Sequence, residues 1–169
     1  GVSNWIDAPI YKNSTFMTIG DNGTILTSTD GTTWTSRTSG TSNDFLDVTY
    51  GNSTFVAVGN SGTILTSSDG TGWTTRTSGT TENLLGVDYG MSTFVAVGKN
   101  GTILTSADGI TWTSRASGTT NHLTGFDYGN SIFVAVGYSG LILTSTDGIT
   151  WTSRTSGTSI QLTGVDYKE

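Results

Sequence analysis

Residues 51–89 read GNSTFVAVGNSGTILTSSDGTGWTTRTSGTTENLLGVDY, and residues 90–128 can be laid over them without a gap. The same 39-residue spacing relates five tyrosines, four tryptophans and four arginines along the chain. These are Tyr11, Tyr50, Tyr89, Tyr128 and Tyr167; Trp34, Trp73, Trp112 and Trp151; and Arg37, Arg76, Arg115 and Arg154. A fixed period of about 40 residues is the signature of a repeat architecture. We therefore expect one repeat domain over residues 1–169.

Each copy contains four short segments with the composition of β-strands, and none has a helical period. In the third copy they are LLGVDY (84–89), TFVAVG (93–98), GTILTS (101–106) and TWTSRAS (111–117). A four-stranded antiparallel sheet repeated around an axis is the blade of a β-propeller. A β-trefoil would need three copies, and a β-solenoid coil is usually shorter. The sequence predicts an all-β propeller with four blades, at about 5–40, 45–79, 84–118 and 123–157.

The first-strand segment occurs five times, whereas the other three segments occur four times. The N-terminal copy, WIDAPIY (5–11), is degenerate and contains Pro9, which cannot donate a hydrogen bond to a neighbouring strand. The C-terminal copy, LTGVDY (162–167), is close to the consensus. We expect this surplus strand to complete the blade made by residues 14–40 and to displace the N-terminal segment. A homodimer that completes an eight-bladed ring is an open alternative.

Composition argues against several classes of function. Thirteen acidic and seven basic residues leave a net charge of −6, which argues against nucleic acid as a partner. No apolar run approaches the roughly 18 residues of a membrane span, so no membrane insertion is expected. With one histidine and no cysteine, neither a transition-metal site nor a cofactor is expected. The Thr-, Ser- and Asn-rich, Lys-poor surface favours a secreted or cell-surface location.

A Ser-x-Asp-Gly-x-x-Trp motif occurs once in each copy, at residues 28–34, 67–73, 106–112 and 145–151. It resembles the Asp-box of bacterial-neuraminidase-like (BNR) repeats, usually written Ser-x-Asp-x-Gly-x-x-Trp, and is one residue shorter. Such repeats occur in sialidases and in many non-enzymatic propellers, including photosystem assembly factors. The resemblance covers nearly the whole chain and implies a propeller fold and a prokaryotic origin.

The Asp-box aspartates have two interpretations, as catalytic carboxylates or as braces of a turn. A catalytic site needs one asymmetric group of different side chains, whereas a brace is needed in every blade. Four identical copies favour the structural interpretation. The structural set is then Asp30, Trp34, Asp69, Trp73, Asp108, Trp112, Asp147 and Trp151.

Enzymatic function is not expected, and no catalytic residue is assigned. A sialidase needs an arginine cluster, an acid pair and a tyrosine nucleophile near the axis. Here each blade has one arginine, placed on the predicted outermost strand, so the arginines cannot converge. His122 has no Ser-His-Asp motif around it.

Two segments of the repeat vary between copies: the turn between strands two and three, and the link to the next blade. In an up-and-down blade both lie at the end opposite the Asp-boxes. The candidate ligand-binding residues are Asp21, Asn60, Lys99, Tyr138, Asn43, Asp44, Glu82, Asn121, His122 and Gln161. Their amide, carboxylate and aromatic groups suit the hydroxyls and faces of sugars, which predicts a lectin-like module. A protein ligand is similarly compatible. The alternative is a structural or protein-interaction scaffold that self-assembles through its terminal strands.

Overall fold

The computed structural model of the chain describes residues 6–168, which form sixteen strands in four antiparallel sheets. The sheets follow one another along the chain and are called blades one to four. Blade one contains β1 (Ile6–Lys12), β2 (Thr15–Gly20), β3 (Ile25–Ser28) and β4 (Thr35–Ser36). Blade two contains β5 (Phe45–Gly51), β6 (Thr54–Gly59), β7 (Ile64–Ser67) and β8 (Thr74–Arg76). Blade three contains β9 (Leu84–Gly90), β10 (Thr93–Gly98), β11 (Ile103–Ser106) and β12 (Thr113–Arg115). Blade four contains β13 (Leu123–Gly129), β14 (Ile132–Gly137), β15 (Ile142–Ser145) and β16 (Thr152–Arg154).

In every blade each strand pairs with the one before it, so the sheet is a simple meander. A single 3₁₀ turn of three residues joins the second and third strands; the turns are Asp21–Gly23, Asn60–Gly62, Lys99–Gly101 and Tyr138–Gly140. Among the described residues these turns are the only helical segments. The predicted all-β fold with four four-stranded blades is confirmed.

Tight turns join the other strands. The first two strands of blade two are connected through Asn52 and Ser53, which both have the left-handed φ that two-residue hairpins need. Asn adopts this region more readily than most residues. The Asp-box turn relies instead on glycine, and Gly70 has a φ of 75°.

In blades two and three the second strand lies between two neighbouring blades, which explains its unbroken apolar sequence. In β6, Phe55 and Ala57 belong to the cluster shared with blade one, whereas Val56 and Val58 belong to the cluster shared with blade three. Successive side chains of a strand point to opposite faces of the sheet, so both faces of β6 are buried. The outermost strand has no blade beyond it and is mostly exposed.

Buried apolar clusters join blades one and two, two and three, and three and four. Within residues 6–168, no such cluster and no extensive strand contact joins blade four to blade one. The four blades therefore form an open arc, with one face of each terminal blade left uncovered. Phe16 and Trp34 of blade one are 37% and 42% exposed, whereas the Phe16 counterparts Phe55, Phe94 and Phe133 are fully buried.

Within one chain, the expectation that residues 162–167 complete blade one and displace the N-terminal segment is wrong. The N-terminal strand β1 pairs with β2, to which a two-residue turn connects it, and completes blade one. Pro9 is accommodated by a register shift between Asp7 and Ile10 rather than by displacement of the strand. Residues 162–168 form no strand and lie against blade four, at the other end of the arc.

Candidate functional site

The two repeat-variable segments meet at one end of the arc, which we call the variable face: the 3₁₀ turns and the links 41–44, 80–83, 119–122 and 158–161. In the first three links, the last residue accepts a hydrogen bond from the turn of the preceding blade. Asp44 Oδ1 accepts from the N–H of Asn22 at 2.9 Å, and Asn83 Oδ1 accepts from the N–H of Ser61 at 3.1 Å. His122 Nδ1 accepts from the N–H of Asn100 at 3.0 Å. These bonds tie successive blades together across the face.

Half of the candidate ligand-binding side chains are engaged in holding this face together. Besides Asp44 and His122, these include Asn43, whose amide donates to Thr63 Oγ1 at 2.8 Å. The Asn60 amide donates to Asp44 Oδ2 at 2.9 Å, and the Asn121 amide donates to the Tyr138 carbonyl at 3.4 Å. Since Nδ1 of His122 is an acceptor, the neutral ring carries its proton on Nε2.

Four other candidates place chemically different side chains on the variable face. Tyr138 and Gln161 are exposed, and Lys99 and Glu82 are half-buried. The Tyr138 ring packs against the His122 ring with 4.9 Å between centroids, and Tyr138 stays 42% exposed. The remaining candidate, Asp21, lies in the first 3₁₀ turn. The face thus presents a carboxylate, an ammonium group, a phenol and an amide in succession.

Three clefts recur at equivalent positions beside this face and were not predicted. Each is lined by a 3₁₀ turn, the outermost strand and the Ser-Gly-Thr segment that follows it. Their volumes are about 670 Å³ in blade two, 810 Å³ in blade three and 460 Å³ in blade four. In blade three the lining includes residues 100–102 and 114–120, which supply hydroxyl and backbone groups. The Ser-Gly-Thr segment repeats in the sequence, but such a segment is equally typical of an ordinary turn and does not by itself predict a cleft.

The Asp-box closes the turn between the third and fourth strands. Asp108 Oδ1 accepts from the N–H groups of Ile110 and Thr111 at 2.8 and 2.9 Å. The Ser106 hydroxyl donates to Asp108 at 2.9 Å and accepts from the N–H of Gly109 at 2.8 Å. Trp112 Nε1 donates to the Gly109 carbonyl at 3.0 Å. The Asp, Ser and Gly bonds recur in all four blades, whereas a Trp–Gly bond is formed in blades two to four.

These donors keep the box carboxylates ionised. The backbone N–H of Thr111, followed by that of Ile110, lowers the pKa of Asp108 to about 2. The backbone N–H of Thr150 does the same for Asp147, whose pKa is also about 2. The pKa of Asp30 is lowered well below its usual range, chiefly by the backbone N–H of Thr33, and that of Asp69 likewise, chiefly by the hydroxyl of Thr71. Such geometry is that of a turn brace, because hydrogen bonds to a carboxylate stabilise its charged form.

A second set of aspartates, on the innermost strands, was missed. Asp47 Oδ2 accepts from the N–H of Val87 at 2.8 Å, and Asp88 Oδ2 accepts from the N–H of Tyr128 at 3.0 Å. Each carboxylate therefore connects one inner strand to the next. Burial raises the pKa of Asp88, and the charge of Asp127 adds to that rise. Asp88 and Asp127 share the 39-residue period, but Asp47 is offset by two positions, which hid the common role.

Across the described part of the chain, no group of three or more His, Cys, Asp or Glu side chains is placed to hold a metal ion. Nor does that part contain a helix of the length and apolarity needed to cross a membrane.

No protein-family model and no curated protein matches this sequence. Solved structures do match its fold. YCF48 bound to a D1 peptide superposes with a TM-score of 0.71 at 18% identity, over 95% of this chain and 59% of that chain. YCF48 from Cyanidioschyzon merolae gives 0.70 at 19% identity, over 96% and 58%. The chain has the β-propeller fold.

A computationally designed propeller, Ika8, superposes with a TM-score of 0.77 at 15% identity, over 97% of this chain and 53% of that chain. The present chain thus spans between about half and three fifths of the length of these propellers. Nearly all of this chain follows the curvature of part of a larger propeller, which agrees with the open arc described above.

Proposed function

We propose that the chain is a non-catalytic propeller module that binds a protein segment on its variable face. The observation that carries this proposal is the asymmetry of the side chains left open there. Glu82 lies in the link into blade three and Lys99 in the turn of that blade. Tyr138 lies in the turn of blade four and Gln161 in the link that follows it, and the four residues differ in charge and shape. A polypeptide presents different side chains in a row, so it can complement such a series. One of the propellers on which this chain superposes, YCF48, is bound to a D1 peptide, which supports the same class of ligand.

The rigidity of the face supports this proposal further. The links and turns that carry these side chains are joined between blades by Asp44, Asn83 and His122. A backbone that is held in place before binding loses little conformational entropy on association, which favours affinity.

Selection from a displayed random peptide library tests the proposal. A triple variant, Glu82→Ala, Lys99→Ala and Tyr138→Ala, should bind the selected peptides about ten-fold or more weakly, since a few contacts usually dominate binding. A matched control, Met91→Asn with Ile110→Thr, changes exposed residues of the opposite end to their counterparts in other copies. It should bind as the parent does. Failure to enrich any peptide, or equal binding by the triple variant, would contradict the proposal.

Lectin-like carbohydrate binding is a second candidate, favoured by the three repeat-related clefts. Their hydroxyl and backbone groups suit sugar hydroxyls, and equivalent clefts suit a ligand made of equivalent units. A glycan array followed by calorimetry tests this candidate. One sugar class bound at about three sites per chain, with affinity unchanged by Lys99→Ala with Tyr138→Ala, which lie outside the clefts, would replace the peptide proposal. Multivalent display would raise the avidity for that sugar.

Self-association is favoured by a separate observation, the uncovered face at each end of the arc. We propose a homodimer in which a second copy covers both faces and completes an eight-bladed ring. A secreted or cell-surface location and membership of the Asp-box repeat family belong to the proposal as well. The Ser, Asp, Gly and Trp contacts of the box turn support the family assignment.

A further inference from the structure

The C-terminal segment, residues 162–167, already has the position of an inner strand of a next blade. Tyr167 N–H donates to Asp127 Oδ2 at 2.5 Å, as Tyr128 N–H donates to Asp88 Oδ2 one repeat earlier. At its other end, Leu162 N–H donates to the Gly137 carbonyl at 3.0 Å and the Leu162 carbonyl accepts from Thr124 Oγ1 at 2.6 Å. The segment is therefore held along its length by blade four.

Close packing of tyrosine on glycine repeats the same relationship. A Cβ placed on Gly129 would lie 2.1 Å from the Tyr167 ring, and a Cβ on Gly90 would lie 2.4 Å from the Tyr128 ring. Inner strands in blades one to four pair with a second strand along one edge. Over the described residues, segment 162–167 has no such partner strand. It is an inner strand whose pairing edge is unused.

The inner strand of blade one, β1, departs in sequence and in pairing from the inner strands of the other blades. Residues 6–11 read IDAPIY, and only Tyr11 matches the LTGFDY and LLGVDY strands of blades four and three. Pro9 lacks an N–H, and the register with β2 shifts between Asp7 and Ile10. Residues 162–167, LTGVDY, differ from each of those two strands at one position.

The uncovered faces of the terminal blades have the chemistry of the existing junctions. Blade one exposes Phe16 and Trp34, whose counterparts pack against the preceding blade elsewhere. Blade four leaves Val134 and Ile142 partly exposed, whereas their counterparts in blades two and three are fully buried against the following blade. The two uncovered faces thus carry residues equivalent to those of the three internal junctions, so they can pack against each other.

We infer that two copies close into a ring by exchanging their C-terminal segments. In each junction, residues 162–167 of one copy pair with β2 of the other copy's blade one and displace its β1. This inference rests on the homodimer proposed above and adds which strand forms the junction. The two junctions are identical and related by a two-fold axis, so the assembly closes without a free face. The four blades superpose on about half of the designed propeller, so their curvature suits a closed ring of about twice their number.

Engineered cysteine pairs test the exchange, since the natural chain has no cysteine. Gly90 pairs with Thr93 in blade three, and their counterparts are Lys168 and Thr15. The double variant Thr15→Cys with Lys168→Cys should form a disulfide-linked dimer on mild oxidation. The control, Asp7→Cys with Ile19→Cys, joins residues that are far apart in sequence and pair only when β1 is in place. If β1 is displaced, this control stays largely unlinked within the chain. Sedimentation equilibrium of the unmodified chain should give a dimer.

The outcomes separate the inference from the homodimer proposal. A dimer by sedimentation in which the 7–19 disulfide forms and the 15–168 disulfide does not would leave the homodimer standing and overturn the exchange. A 15–168 disulfide within a single chain would mean that the four blades close on themselves, and it would overturn both. A monomer at all concentrations would also overturn both, as would a ladder of longer covalent polymers. Circular dichroism of each variant verifies that the blades are folded.

Discussion

At the scale of single residues, the buried serine of the Asp-box is as important as the aspartate. Ser67 is 4% exposed; its hydroxyl donates to Asp69 at 3.1 Å and accepts from the N–H of Gly70 at 2.8 Å. The next residue, Ser68, is exposed, and the third copy has Ala107 in its place. Two adjacent serines therefore have opposite importance.

Ser67→Ala should lower the free energy of unfolding by about 1–3 kcal/mol, because it leaves the buried N–H of Gly70 without its acceptor. Ser68→Ala is the matched control and should change that free energy by less than about 0.5 kcal/mol. Urea unfolding monitored by tryptophan fluorescence measures both. Equal effects of the two substitutions would show that the Ser67 hydroxyl does not hold the turn.

The candidate site shows where reasoning from single residues stopped. The variable positions were found by comparing copies, and they do lie together at one end of the arc. Their division into structural and open side chains was not predictable. Asp44 and His122 each accept from a backbone group 22 residues earlier, in the preceding blade. A bond between blades depends on how the blades pack, and spacing within one copy does not contain that information.

At the scale of elements, contact between inner strands depends on glycines that allow close approach. Gly90 ends β9, and the Tyr128 ring of β13 lies over it. The strand predictions agree closely with the observed strands in the third copy, where 84–89 is observed as Leu84–Gly90. The outermost strand is shorter than predicted, Thr113–Arg115 against 111–117, because the Asp-box turn includes Trp112.

Gly90→Ala should destabilise the fold by about 1–3 kcal/mol, since the added Cβ would lie 2.4 Å from the Tyr128 ring and force the strands apart. Gly72→Ala is the control, because a Cβ there meets nothing within 4 Å. Thermal unfolding of the two variants beside the parent is the measurement. A Gly90 variant as stable as the parent would mean that the inner strands separate freely.

At the scale of the whole molecule, stability is distributed unevenly along the arc. In the part of the chain that the structure describes, blades two and three have a neighbour on each side, whereas blade four has a neighbouring blade on one side only. The stability of a repeat protein is approximately the sum of its units and of their nearest-neighbour interfaces. The terminal blades therefore lack one of the two interfaces that stabilise the central ones.

In a sample shown by sedimentation to be monomeric, amide hydrogens of β6 and β10 should exchange more slowly than those of β14, by about ten-fold or more. Hydrogen exchange followed by mass spectrometry measures this difference. At concentrations where the dimer forms, β14 should become as protected as the central strands. Uniform protection in the monomer would contradict the nearest-neighbour description.

The near-identity of the three internal junctions also has a genetic consequence. Deletion or duplication of one 39-residue unit by unequal recombination would join faces that already fit, since Phe55, Phe94 and Phe133 occupy the same place in their junctions. Blade number can then change in one step without new compensating substitutions. Selection on such a gene acts on how many blades are encoded, while the sequence of each blade is free to diverge at its 3₁₀ turn and link.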